Sequence, residues 1–148
     1  MATPLDASHF AEIHRLCFED PWTEESFRAL LAGPPVYGYI SGEKPVQSCL
    51  LVREIMGEAE VLTLATMPHA RRKRLGSHLL EEAIQKASAR GVRSFFLEVA
   101  ESNGPALALY AKFGFRKVGK RPNYYALKDR PAVSALILRR DLNPEPVS

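Results

Sequence analysis

Three features of the sequence have residue types and spacing suited to chemistry. Glu98 lies inside the run Ser94 to Val99 (SFFLEV), and a carboxylate in so apolar a stretch is costly unless it is paired or used. Taken alone, it is explained as well by a neighbouring basic side chain or helix N-terminus as by catalysis. Tyr110 follows in ALALYAKF, where a lone tyrosine reads as a core aromatic with a polar tip. The third feature is Arg71, Arg72, Lys73 and Arg74, which gather four of the twenty cationic side chains of a chain whose net charge is only +3. Such a cluster points to a local anionic partner, although on charge alone a solvated basic loop accounts for it equally.

Position favours the anion. Ala59 to Thr66 reads as a strand, and a helical period begins at Leu75, recurring at Leu79, Ala83, Ile84 and Ala87, with Gly91 placed as its left-handed cap. A strand, a short loop and a helix opening near Gly76 present unpaired backbone N–H groups at a helix N-terminus, a setting that binds phosphate. Gly76 lets the backbone approach a bulky group closely.

The remaining elements must position these residues. Asp6 or Ser8 is expected to cap a helix with apolar positions Phe10, Ile13 and Leu16; Pro21 ends it, and Thr23 starts a second helix carrying Phe27, Leu30 and Leu31. After Gly33, Pro34 and Pro35, segments Val36 to Ile40, Val46 to Ile55 and Ala59 to Thr66 predict an antiparallel meander. The helix after Leu75 and the strand at Ser94 to Val99 then predict a parallel crossover. Alternation puts Phe96, Glu98 and Ala100 on one face of that strand and Phe95, Leu97 and Val99 on the other. A second crossover helix spans Pro105 to Phe113, with Gly114 just past it. Phe115 to Gly119 and Val133 to Arg139 are the last strands, and residues 141–148 read as a loose tail.

Two stretches carry a family resemblance. MPHARRKRLGSHLL, Met67 to Leu80, resembles the Q/R-x-x-G-x-G/A signature of the GNAT acyltransferases, with the preceding strand and proline present as LTLAT and Pro68. Arg71 fills the first motif position and Gly76 the last. Arg74 stands where the family usually has its first glycine, so a positive φ at that position carries a steric cost. LEVAESNGPALALYAKFGF, Leu97 to Phe115, resembles the LEV-x-x-SN...A-x-x-LY-x-x-x-GF pattern of the branch that acetylates the N-terminal alanine of a ribosomal protein.

The resemblance implies an α/β (α+β) GNAT fold over residues 1–148 as one domain: a mixed sheet of about six or seven strands flanked by about four helices, the first strand short or missing. It implies acetyl-CoA as donor. Arg71, Arg72, Lys73, Arg74, Leu75, Gly76 and Ser77 would hold its phosphates, Leu64, Ala65 and Thr66 would pair with its pantetheine arm through the backbone, and Asn103 would touch coenzyme A. Glu98 would be the general base and Tyr110 the general acid. FEDPWTEESF, Phe18 to Phe27, and RPNYY, Arg121 to Tyr125, resemble the branch's acceptor-side segments, which assigns Trp22, Tyr124 and Tyr125 to a peptide acceptor. One departure is Ser134, near where the branch commonly carries an acidic residue.

The chemistry suits those roles. An α-amino group with a pKa of about 7.7 to 8.0 needs only modest help to lose its proton, and a departing thiolate, whose thiol has an ordinary pKa of about 8.5, can be protonated by a phenol. A lysine side chain or small amine is the alternative acceptor. A nucleic-acid module using the basic cluster is a third reading, against which stands the lack of interleaved aromatics.

No metal is expected: His9, His14, His69 and His78 are scattered and read as surface groups, and Cys17 and Cys49 read as small core residues. Two cysteines make no disulfide scaffold, and no run nears the roughly 18 apolar residues of a membrane span, so a cytoplasmic protein is expected.

Overall fold

The computed structural model describes residues 1–42, 45–71, 74–125 and 131–142. Near its start, Thr3 and Asp6 form a capping box: the Thr3 hydroxyl accepts from the Leu5 N–H, and the Asp6 carboxylate accepts from the Thr3 N–H at 2.9 Å. The short 3-10 turn they close, Pro4–Asp6, leads directly into helix α1, Ala7–Cys17. Asp6 is thereby spent on the 3-10 turn and makes no side-chain cap on α1, as had been expected of it.

The buried positions of α1 are Ala7, Phe10, Ile13 and His14, while Leu16 is 45% exposed. The inward stripe therefore follows i, i+3, i+4 from Phe10 and takes in His14 in place of Leu16. Thr23 caps the short helix α2, Glu24–Leu30, by accepting from the Ser26 N–H.

Strands β1 (Val36–Ser41), β2 (Ser48–Ile55) and β3 (Glu58–Thr66) form the expected antiparallel meander. Helix α3, Leu75–Ala89, crosses over to β4, Ser94–Ala100, which runs parallel to β3. Helix α4, Gly104–Lys112, leads to β5, Arg116–Tyr125, and the chain returns as β6, Val133–Asp141. Together these strands make one six-stranded sheet in the order β1-β2-β3-β4-β6-β5, with β6 inserted antiparallel between β4 and β5. A separate first strand is reduced to one antiparallel bridge, Ala2 to Gly38.

Two details correct the sequence expectation at the C-terminal end. β5 continues through RPNYY to Tyr125, with register shifts after Lys117 and Arg121. β6 runs to Asp141, and Leu142 is buried, with its N–H bonded to the Arg93 carbonyl. Residues 141 and 142 thus belong to the packed chain; the rest of the expected tail lies outside the described residues.

Each sheet face buries its own apolar cluster. α3 and α4 cover one, where Leu50, Leu80, Phe95, Leu97, Tyr110 and Phe115 meet. α1 and α2 cover part of the other, through Phe10, Ile13, Phe27, Cys49 and Leu51. Among the described residues, no helix is long and apolar enough to cross a membrane.

Candidate active site

The site begins where two parallel strands part. β3 and β4 pair only through Glu58–Ser94, Ala59–Phe95 and Glu60–Phe96. Beyond these, Val61–Thr66 and Leu97–Ala100 run on without pairing to each other, so the facing edge of each strand keeps main-chain groups for another partner. An irregularity helps separate them: Leu51 faces Thr63 while Val52 faces Val61, which makes Leu62 an extra residue in β3. A bulge of this kind bends and twists the strand that carries it.

Leu64, Ala65 and Thr66 all lie on this released stretch. Gly76 sits beside it: a Cβ added there would stand 3.5 Å from Thr66 Oγ1 and 3.8 Å from a Leu64 methyl, ordinary contacts. The protein therefore leaves room at Gly76, bounded by the same strand. The first-turn N–H groups of α3, from Leu75, Gly76 and Ser77, lack intrahelical partners and open toward this end of the helix. The strand end, the glycine and the helix N-terminus form a cradle suited to an extended thioester arm followed by phosphates.

Arg74 is the residue before α3, at φ 60° and ψ 21°, in the left-handed region. The steric cost attached to an arginine at this motif position is therefore real. Arg71 folds back, its Nε donating to the Thr66 carbonyl at 3.3 Å and its Nη2 lying 3.7 Å from Cys17 Sγ. That fastens the basic turn to the end of β3. Arg72 and Lys73 lie outside the described residues. Asn103 caps α4, accepting from the Ala106 N–H at 3.2 Å through Oδ1, a bond that leaves its Nδ2 donors uninvolved.

Glu98 lies on the released part of β4. Alternation places it opposite Phe95, Leu97 and Val99, as expected, but that face is open there and Glu98 is exposed rather than buried. A guanidinium satisfies it: Arg121 Nη2 stands 3.0 Å from Glu98 Oε1. The same guanidinium lies 5.2 Å from the centre of the half-exposed Tyr124 ring. Glu98, Arg121 and Tyr124 are thus assembled as a row across β4 and β5. The backbone of Tyr125 pairs with Val133, and its side chain lies outside the described residues.

Tyr110 is on the other side of the sheet. It is 7% exposed, belongs to the cluster with Phe95, Leu97 and Val99, and meets Phe115 edge-on at 5.8 Å between ring centres. Glu98 and Tyr110 therefore flank β4 from opposite faces, at the strand that borders the opening. A group threaded between β3 and β4 passes between those faces.

The segment Phe18 to Phe27, expected to face the acceptor, is organised around a residue that sequence reasoning put on the surface. His14 is 4% exposed. Its Nδ1 accepts the Trp22 backbone N–H at 3.0 Å, and its Nε2 lies 3.0 Å from Thr63 Oγ1 on β3. Burial pushes its pKa down to about 4. Trp22 is 39% exposed and packs on His14 and Phe27. The signal for His14 was its i+4 spacing from Phe10 on the apolar stripe of α1. The signal for Arg121 was only its place in RPNYY.

Among the described residues, no cluster of histidine, cysteine and carboxylate side chains is arranged to hold a metal ion. Cys49 is buried and its thiol pushed up to about 12, chiefly by desolvation, which makes it inert as a nucleophile at neutral pH.

Comparison with known proteins gives the family and the fold. The family model described as the acetyltransferase (GNAT) family matches residues 7–115. The chain is 31% identical over 127 residues to the ribosomal protein bS18-alanine N-acetyltransferase of Escherichia coli K12, covering 86% of this chain and 84% of that protein. It is 32% identical to the N-alpha-acetyltransferase RimI of Mycobacterium tuberculosis, covering 94% and 89%. The crystal structure of the Escherichia coli ribosomal-protein-S18-alanine N-acetyltransferase superposes with a TM-score of 0.87 at 27% identity, over 97% of this chain and 94% of that one. Arabidopsis thaliana NAA60 in complex with acetyl-CoA shares the fold, with a TM-score of 0.82 at 18% identity over 96% of each chain.

Proposed function

The chain belongs to the GNAT acetyltransferase family, and from that premise we propose that it transfers the acetyl group of acetyl-CoA to the α-amine of a protein N-terminus, the N-terminal alanine of a cytoplasmic ribosomal protein. The observation that carries this reading is the placement of Glu98. Its carboxylate faces an open sheet surface on the stretch of β4 released from β3, with the exposed aromatics Trp22 and Tyr124 available on the acceptor side. A carboxylate so placed can take a proton from an amine that arrives as a cation.

The donor supplies a thioester carbonyl carbon as the electrophile. Leu64, Ala65 and Thr66 offer main-chain groups to the arm that carries it. Gly76 and the N–H groups of Leu75, Gly76 and Ser77 receive the phosphates, with Arg71, Arg72, Lys73 and Arg74 adding positive charge. Asn103 supplies a further polar contact at the start of α4. Trp22, Tyr124 and Tyr125 hold the acceptor peptide.

The cationic amine loses two protons overall. Glu98 takes the first, directly or through a water, before attack, and the second passes from the nitrogen of the tetrahedral adduct to water as the C–S bond breaks. Tyr110 gives one proton to the departing sulfur and regains it from solvent. Main-chain N–H groups along the released edge of β3 lie where they can support negative charge on the carbonyl oxygen. An α-amine suits this machinery better than a lysine side chain, whose pKa of about 10.4 would ask more of an exposed carboxylate.

Incubation with acetyl-CoA and peptides varied at their first residues, followed by mass spectrometry, tests the reading. Acetylation confined to the α-amine and fastest with N-terminal alanine is the expected result. Faster transfer to free lysine or to internal lysine side chains overturns it.

A further inference from the structure

His14 joins three parts of the molecule that are distant in sequence. It projects from α1, accepts from the backbone of the segment between α1 and α2, and contacts β3. The Trp22 N–H is a donor only, so the His14 nitrogen facing it, Nδ1, must present a lone pair. The proton of the neutral ring is then on Nε2, where it donates to Thr63 Oγ1. Both bonds use the full capacity of one neutral tautomer.

The packing is equally specific. The imidazole lies 4.3 Å from the Phe18 ring, 5.0 Å from Trp22 and 5.1 Å from Phe27, centre to centre. Phe18 and Trp22 nevertheless each keep a large exposed area, 42% and 39%. Thr63 is the residue after the bulge at Leu62, on the part of β3 that has left β4. One ring therefore links the acceptor-side aromatics to the strand proposed to carry the donor.

We infer that His14, as a neutral Nε2–H imidazole, is a positioning residue that fixes the Phe18–Trp22 segment against β3 and so sets the acceptor wall relative to the donor strand. This inference rests on the acceptor-side placement of Trp22 in the function proposed above. A proton added at Nδ1 would set an N–H against the Trp22 N–H and release the segment. The groups facing the ring from the neighbouring elements, Phe18 and Trp22 in the connecting segment, Phe27 in α2 and Thr63 in β3, do not titrate in the neutral range. On α1 itself Glu12 and Arg15 are exposed and paired with each other. Burial pushes the pKa of the ring down to about 4, so the clasp stays closed throughout the neutral range.

Trp22 is the only tryptophan of the chain, so its fluorescence reads the clasp without any substrate. With far-UV circular dichroism followed in parallel, wild-type emission is expected to hold steady from pH 8 to pH 5.5 and to change with a midpoint near 4 as the neighbouring imidazolium quenches the indole, while His14→Gln shows no such step. A midpoint near the ordinary histidine value of about 6.5, no step, or the same step in both proteins overturns the inference.

The kinetic arm uses His14→Phe, which keeps a ring but loses both bonds, and His14→Gln, whose amide can supply one acceptor and one donor. His14→Phe should raise the KM for the acceptor peptide about tenfold, with kcat and acetyl-CoA affinity within about twofold, and His14→Gln should recover most of the loss. An unchanged peptide KM in a folded His14→Phe, or an equal loss on the donor side, overturns the positioning role. If wild-type protein acetylates no peptide, the proposed function fails while the fluorescence comparison still decides the clasp.

Discussion

On the proposed donor side of the opening between β3 and β4, the groups on offer are mostly main chain: the released edge of Val61–Thr66, the bare Cα of Gly76 and the first N–H groups of α3. On the proposed acceptor side they are side chains from separate segments: His14 and Trp22, Thr63, Glu98, Arg121 and Tyr124. A main-chain site asks little of side-chain identity, needing one small residue and a helix beginning at the right place. A side-chain site asks for particular groups brought together from across the fold. The donor side should therefore tolerate conservative substitution except at Gly76, while the acceptor side should fail one named residue at a time.

The largest effect is expected at Glu98. Glu98→Gln keeps size and hydrogen-bonding capacity but removes the base, and kcat should fall by about 10²- to 10⁴-fold. Acetyl-CoA affinity, measured by calorimetry, should stay within about twofold. The ion pair with Arg121 is exposed and contributes little to stability, so the variant should melt near the wild-type temperature. A parallel loss of acetyl-CoA binding would mean that the two sides are not separate.

The next effect concerns stability on the acceptor side. Above pH 6.5 His14 is neutral in both the folded and the unfolded chain, and stability owes nothing to its titration. Between pH 6.5 and about 4 the unfolded chain binds a proton that the folded chain refuses, so stability falls as pH falls, by about 3 kcal/mol in total. Below that window both states are protonated and the dependence ends. Urea midpoints at pH 7 and pH 4.5 should show this loss in the wild type and a smaller one in His14→Gln. Equal losses in the two proteins would remove His14 as the cause.

The two sides also differed in how readable they were in the sequence. Apart from Asn103 and Tyr110, the proposed donor side lies in one continuous stretch, LTLAT through LGSHLL, where a strand, basic residues, a glycine and a helical period follow in order, and each is a local signal. The acceptor side depends on contacts such as His14 to Thr63 and Glu98 to Arg121, which no local pattern encodes. His14 was legible only as a member of the stripe Phe10, Ile13, His14, and choosing Leu16 for that stripe sent the histidine to the surface. Glu98 was placed on the correct face of β4. The stretch had been read as apolar enough to make a carboxylate costly, because nothing in SFFLEV says that the Glu98 face is open there. β5 was cut short at Gly119 because GKRPN in RKVGKRPNYY interrupts any apolar alternation, and the segment becomes a strand by pairing with β6.

A smaller change tests the main-chain character of the donor side. Gly76→Ala adds a Cβ whose contacts with Thr66 and Leu64, at 3.5 and 3.8 Å, are ordinary, and alanine favours the helix that begins there. The fold should keep or slightly gain stability. Acetyl-CoA should bind about tenfold more weakly, a cost of about 1.4 kcal/mol, if its phosphates approach that backbone, while the peptide KM stays put. Full retention of acetyl-CoA affinity would take the phosphates away from Gly76.

The smallest effect, at Arg74, is a balance of opposing terms. Arginine at φ 60° carries a left-handed cost of about 1–2 kcal/mol that glycine does not. Arg74→Gly relieves it but gives the unfolded chain more freedom, at a cost of about 0.5–1 kcal/mol. Glycine is also acceptable as the residue that begins a helix, and the Arg74 side chain makes no cap bond that would be lost. The net change should be a gain of about 0.5–1 kcal/mol, read as a higher denaturation midpoint. Acetyl-CoA affinity should fall slightly at low salt and match the wild type at high salt, because the side chain contributes charge and the main chain contributes the fit. A variant that is less stable, or that loses affinity equally at every salt concentration, would show that the Arg74 side chain makes a specific contact in the cradle, and the donor side would then rest on side chains as the acceptor side does.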